Sequence, residues 1–240
     1  MTTQRWGGRL TSRPLPDDDT IDALDSAARA LVSQSWLARA AAERRAADIF
    51  RLIAGSLRAV QESETLIELA DRSIDDELRH AEICRVVASR YAGREVQPHP
   101  MVLEPPKHDG ASEQLRHSLW IVGQCAFNET TASAFLDESL EQSRAALARA
   151  ALRELLSDEI DHARIGWAHL ASMSTSLRHQ MASWIPRMLD ANRREWGRAA
   201  GADDDRYAPH GWISRASIAR VVDAAEREVI TPGLERIGLL

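Results

Sequence analysis

Asp76-Glu77-Leu78-Arg79-His80 and Asp158-Glu159-Ile160-Asp161-His162 share one pattern, an acidic residue followed by Glu-x-x-His, and the copies lie 82 residues apart. Both stretches have the composition of a helix. In a helix, positions i and i+3 lie on one face about one turn apart, so the carboxylate and imidazole of each copy converge on one point. Each copy is therefore half of a possible metal site.

Each copy also has a partner. Glu43 stands 34 residues before Glu77, and Glu129 stands 30 residues before Glu159. Spacing by fours and threes predicts a first long helix over about 35–60, with Trp36, Ala40, Glu43, Ala47, Phe50, Ala54 and Leu57 on its inner stripe. A carboxylate on so apolar a stripe is costly to bury unless it is paired or bound to a metal. A second helix over about 62–91 carries Ile67, Ala70, Ile74, Glu77, Ala81, Cys84 and Ala88, with Thr65 and Glu68 as a capping box. A third over 112–141 carries Val122, Ala126, Glu129, Ser133, Leu136 and Leu140. A fourth over 143–173 carries Leu152, Leu155, Glu159, His162, Gly166 and His169.

Antiparallel pairing that sets Glu43 level with Glu77 places a turn at residue 60, beside the polar Gln61-Glu62-Ser63. The same test on Glu129 and Glu159 places a turn at residue 144, inside Gln142-Ser143-Arg144. Between the two halves, Ala92–Ala111 holds Gly93, Pro98, Pro100, Pro105, Pro106 and Gly110. Such a long connection without helix is uncommon, and it suits a crossover that runs the length of a bundle.

Outside the bundle, residues 1–34 read as a tail and a short helix, Thr20 to about Leu31, with a break near Ser33 and Ser35. Residues 35–173 form the bundle. Residues 174–240 form a helical extension: a fifth helix over 177–199 kinked at Pro186, a loop, and a sixth over 214–229 followed by the Thr231-Pro232 pair. This extension reads as bundle cover, cavity wall or oligomer surface.

Composition narrows the functional classes. The chain is rich in Ala, Arg, Leu and Glu, with 12 Gly and 9 Pro in 240 residues, which favours an all-α fold. A net charge of −6, with every basic residue except Lys107 an arginine, argues against a nucleic-acid surface. No stretch approaches 18 apolar residues, so a cytoplasmic protein without a membrane span is expected. Cys84 and Cys125 lie inside helical segments and read as small core residues.

On these motifs the chain resembles the ferritin-like di-iron carboxylate superfamily over residues 35–173, that of bacterioferritin, rubrerythrin and the bacterial di-iron oxidases. The resemblance implies a ferritin-like four-helix bundle with a long crossover between its second and third helices. It implies two iron ions, with manganese or an iron–manganese pair as alternatives, held by Glu43, Glu77, His80, Glu129, Glu159 and His162. Glu77 and Glu159 would bridge the ions, Glu43 and Glu129 would be terminal ligands, and each histidine would bind one ion. It also implies a crossed support, Asp76 to His162 and Asp158 to His80, that fixes each ring.

Such sites react with O2 or peroxide, drawing on an electron donor, and the expected activity is oxidation or hydroxylation of a small organic substrate. The small residues Ala47, Ala81, Ala126, Ala163 and Gly166 around the ligands would leave room for O2 or for a substrate. Two other readings stay open. One is a ferroxidase or peroxide-scavenging protein; only two cysteines leave no rubredoxin module, and the extension favours a monomer or homodimer over a 24-subunit cage. The other is a metal-free helical interaction module in which the acidic residues are structural ion pairs, such as Glu43 with the adjacent Arg44 or Arg45. His169 reads as a packed residue near the site. His99, His108, His117, His179 and His210 read as loop or surface residues.

Overall fold

Asp25 starts the first long helix by accepting the Ala28 N–H at 2.8 Å, a side-chain cap worth about 1 kcal/mol. In the computed structural model, which describes residues 14–198 and 204–240 and the backbone of Arg5–Trp6 and Arg9–Leu10, the chain is all-helical apart from that two-residue strand pair. Residues 1–4, 7–8 and 11–13 of the expected tail and the loop residues 199–203 lie outside the described residues.

Helix α1 (Ser26–Ala59) is continuous, so the expected break at Ser33 and Ser35 is absent. The Ser33 hydroxyl donates to the Ala88 carbonyl at 2.9 Å, which gives a buried serine a partner on the next helix instead of a reason to end its own. Helix α2 (Glu64–Ala92) starts after Ser63, ahead of the predicted capping box, and ends at Gly93, whose φ of 66° is the left-handed conformation that closes a helix. The turn between α1 and α2 falls over residues 60–63, where the midpoint of Glu43 and Glu77 puts it.

Residues 93–112 carry no helix. The Trp120 indole donates to the Pro106 carbonyl at 2.8 Å and ties this connection to the next helix. That helix is α3 (Glu113–Ile121), capped by Ser112, and it runs on through a π-helical segment, Val122–Asn128, into α4 (Glu129–Gln142). The π segment departs from the uninterrupted α-helix that periodicity predicts. Helix α5 (Ala146–Ser172) follows a tight turn in which the Arg144 and Ala145 N–H groups both donate to the Pro209 carbonyl at 2.8 Å.

Helix α1 packs on α2 and α3, and α5 packs on α2, α4 and the π segment. Two apolar clusters separate along these helices. One gathers Trp36, Ala40, Cys84, Val87, Leu136, Leu152 and Leu155, and the other Phe50, Ile53, Leu57, Ile67, Ile121, Cys125 and Ile165. On α1, Glu43 falls between Ala40 of the first cluster and Phe50 of the second.

The C-terminal part consists of α6 (Thr175–Ala182), α7 (Ile185–Arg198), a short 3-10 helix, and α8 (Arg215–Ala225), which continues through a π turn into α9 (Thr231–Ile237). The fifth helix expected over 177–199 is thus two helices. The chain breaks at Ser183-Trp184, and Pro186 sits in the first turn of α7, where its missing N–H removes no helical bond. Met181, Ile185, Met188 and Leu234 pack against Leu115, Leu119, Val122 and Leu170, joining these helices to α3, the π segment and α5.

Candidate metal centre

Two overlapping groups of side chains converge at the middle of the long helices. Glu43, Glu77, His80 and Glu159 form one group, and Glu77, Glu129, Glu159 and His162 form the other. Within each, one nitrogen or oxygen atom per residue lies within 4.8 Å of the rest. All six residues singled out from the sequence are brought together, and Glu77 and Glu159 belong to both groups. Glu77, His80, Glu129, Glu159 and His162 are buried, and Glu43 is part-exposed.

The geometry follows from the i, i+3 spacing. The Nδ1 atom of His162 lies 3.1 Å from Glu77 Oε1 and 3.3 Å from Glu159 Oε2, while Nδ1 of His80 lies 3.7 Å from both Glu77 Oε2 and Glu159 Oε1. Both imidazoles therefore present Nδ1 to the shared carboxylates. The two rings are 6.1 Å apart, and Phe50 packs on His162 at 4.9 Å.

The opposite nitrogens face the aspartates in the crossed sense. His80 Nε2 is 3.1 Å from Asp158 Oδ2, and His162 Nε2 is 3.8 Å from Asp76 Oδ2. An ionised carboxylate only accepts hydrogen bonds, so His80 Nε2 carries the proton that Asp158 receives, and Nδ1 is left as the atom able to bind a cation.

Arg79 joins the two aspartates. Its side chain is buried, its Nη2 bonds Asp158 and lies 3.4 Å from Asp76 Oδ1, and its Nη1 is 3.8 Å from Glu154. Sequence analysis passed over this residue although Asp76 and Arg79 sit at i, i+3. Gln124, on the π segment, donates its side-chain amide to Glu129 and was also missed.

Electrostatics reveals what the cluster favours. Burial raises Glu43 and Glu129 well above the usual carboxylate range, and the charges of Glu77 and Glu159 push them further. Burial acts the same way on Glu77, but the adjacent His162 and His80 imidazoles outweigh it and hold this carboxyl far below its ordinary value. Burial disfavours the His80 cation, yet Asp158 and Glu77 overcome it and raise its pKa to about 10. His162 is raised in the same way by Asp76, Glu159 and Glu77. The cluster thus draws positive charge into its centre, a demand that a divalent cation meets as well as protons do.

The donor set fits a hard or borderline metal. Glu77 Oε2 and His80 Nδ1 are buried without a hydrogen-bond partner among the described residues. A buried carboxylate oxygen facing a buried imidazole nitrogen at 3.7 Å, each unpartnered, is an arrangement a bound cation satisfies. Among the described residues neither Arg44 nor Arg45 forms a salt bridge with Glu43, and Arg45 pairs with Glu195 at 2.9 Å.

A cavity of about 1580 Å³ reaches Glu43, Glu77, Glu129 and Glu159 from the surface between α1, α4 and the connection after α2. None of Ala47, Ala81, Ala126, Ala163 and Gly166 lines it, so this cavity is not formed by the small residues singled out from the sequence. A Cβ on Gly166 would lie 2.2 Å from the backbone nitrogen of Ala126, so this glycine lets α5 lie against the π segment and leaves no space for a substrate. Trp196, Ile213 and Ile218 of the C-terminal part do line the cavity, in keeping with the wall reading of that part.

The remaining histidines divide. His169 is buried outside both groups, with Nδ1 2.7 Å from Glu62 and Nε2 3.0 Å from Ser118 Oγ. His210 is buried instead of exposed, 2.9 Å from the Tyr91 hydroxyl, and its carbonyl accepts from the Trp36 indole. Cys84 and Cys125 are buried free thiols. No helix among the described residues is long and apolar enough to cross a membrane. A scan against models of known families finds none that matches the chain, and a search of curated proteins finds no match.

Proposed function

We propose that Glu43, Glu77, His80 and Glu159 hold one metal ion and Glu77, Glu129, Glu159 and His162 a second, in a ferritin-like four-helix bundle whose crossover is the connection over residues 93–112. The ions are iron in the preferred reading. The protein uses them to activate O2 and to oxidise or hydroxylate a small organic substrate. The observation that carries this reading is the pair of overlapping donor groups sharing Glu77 and Glu159. Four carboxylates balance the charge of two divalent cations, and one imidazole per ion leaves positions open for other ligands.

When bound, two ferrous ions supply the electrons that reduce O2. The protein's own groups set the conditions. Asp158 accepts from His80 Nε2–H and so keeps Nδ1 turned to the shared carboxylates. Arg79 compensates the buried charges of Asp158 and Asp76, which lets both aspartates stay ionised beside the imidazoles. Gln124 orients Glu129 from the π segment. Phe50, Ile53, Cys125 and Ile165 close the far side of the cluster against water, so approach is from the cavity side.

Iron storage would use the same six side chains. A cavity of about 1580 Å³ ending on four of the carboxylates favours a substrate oxidase. The test is a single-turnover measurement: the protein is loaded with Fe(II) without oxygen, O2 is added, and the products of candidate organic substrates are sought. Stoichiometric O2 uptake with substrate oxidation supports the reading. O2 uptake that yields only a growing ferric mineral contradicts the oxidase and leaves iron handling.

A further inference from the structure

The cavity beside the acidic cluster holds a guanidinium with one unpartnered nitrogen, whose charge is felt by Glu43 but forms no ion pair with it among the described residues. Arg39 lines it, one helical turn before Glu43 on α1, which separates the two Cα positions by about 6 Å. The Arg39 guanidinium lies over the Trp36 ring at 4.6 Å and the Phe135 ring at 5.2 Å, and its Nη2 donates to the Gly211 carbonyl at 3.4 Å. Its Nη1 is buried with no hydrogen-bond partner, and among the described residues Arg39 forms no salt bridge. A buried guanidinium nitrogen without an acceptor is costly, so an orphan at the wall of a cavity requires a reason.

Two further unpartnered buried groups line the same cavity, the Trp212 indole nitrogen and Arg45 Nε. All three are donors that cannot accept, and two belong to cations. Trp212 follows Gly211, the residue whose carbonyl holds Arg39, so the loop that positions Arg39 also carries the indole. Around them the wall is apolar and aromatic, with Phe135, Leu136 and Ile213.

We infer that this cavity binds an organic acid, its carboxylate held by Arg39 Nη1 with help from the Trp212 indole, and its hydrocarbon body lying along the apolar wall toward Glu43. A planar guanidinium flanked by two rings and missing one bond is suited to a carboxylate, which fills orphan donors that water or an amide oxygen would satisfy less strongly. That the bound acid is then oxidised rests on the metal-centre reading; the binding itself does not. The short separation of Arg39 from Glu43 limits the acid to a compact one whose reactive carbon is a few bonds from the carboxylate.

The test is calorimetric titration of benzoate and hexanoate, each against its neutral amide, into metal-free and metal-loaded protein without oxygen, with metal content measured on the same samples. At least one acid binds saturably and its amide does not. Arg39→Gln lowers the acid's affinity about tenfold or more in both forms, and Trp212→Phe lowers it less, with metal content unchanged. The metal-free arm removes direct ligation of a metal as an explanation. Amides that bind as well as acids, no binding by either acid, or undiminished affinity in Arg39→Gln overturn the assignment. Arg39→Lys replaces Arg39→Gln where circular dichroism shows that the latter is unfolded. Absence of metal with acid binding intact overturns the metal-centre reading alone.

Discussion

His80 on α2 holds Asp158 on α5 through Nε2 at 3.1 Å, whereas the reciprocal pair, His162 Nε2 and Asp76 Oδ2, is open at 3.8 Å. The crossing is symmetric in sequence and unequal in geometry. Asp158 is also the aspartate that Arg79 bonds more closely. Asp158→Ala is therefore expected to weaken metal affinity about 10–100-fold, and Asp76→Ala to weaken it less. Competition against a chelator of known affinity measures both, and equal or undetectable losses would count against the orienting role.

Arg79 is the buried cation between those aspartates. Arg79→Met keeps much of its volume and leaves Asp76 and Asp158 as uncompensated neighbours, so a loss of about 3–5 kcal/mol in unfolding free energy is expected. Denaturant unfolding gives the number. A loss below about 1 kcal/mol, the size of an ordinary surface change, would mean that Arg79 does not carry this charge balance.

Gly166 is where α5 meets the π segment. A methyl group there collides with the backbone of Ala126 and Cys125, so Gly166→Ala is expected to destabilise by about 1–3 kcal/mol or more. Gly55 on α1 has nothing within 4 Å of an added Cβ, and Gly55→Ala is expected to stabilise by about 0.5–1 kcal/mol. Thermal melting of the two variants should move in opposite directions; a shared direction would contradict the close approach.

The metal-free protein should lose stability as pH rises through neutrality. His80 is raised to about 10 from an ordinary value of about 6.5, so its contribution is complete below about pH 6.5 and disappears as pH climbs through about 10. Glu43 and Glu129, also raised, hold protons that the unfolded chain gives up, which adds to the loss above their ordinary value of about 4.3. Asp158 is held low, so its contribution disappears only in strong acid. Melting temperatures across pH 6–10 check the sign. They should fall for metal-free protein and stay flatter with metal bound, since bound cations replace those protons.

The four long helical runs and their two turns were legible because periodicity and a midpoint argument use only local spacing. Glu43, Glu77, His80, Glu129, Glu159 and His162 were legible for the same reason, since carboxylates on an apolar seam mark themselves. The π segment Val122–Asn128 left no such mark: it differs from an α-helix by one residue per turn, and its residues have no distinct propensity. Arg79 looked like one arginine among many, because its value lies in Asp158, a residue 79 positions away. Gly166 read as spare room because sequence shows a missing side chain without showing what fills the gap. The break before Pro186 and the burial of His210 depend in the same way on tertiary neighbours.

Metal content per chain is the most direct test of the central claim. Protein produced with iron and manganese available is expected to carry about two ions per chain, as two overlapping donor groups require, and to lose them in Glu77→Ala and Glu159→Ala, which remove the shared carboxylates. No stoichiometric metal in a folded protein, together with no Fe(II) uptake by the metal-free chain without oxygen, would contradict the account and leave the six side chains as a structural network.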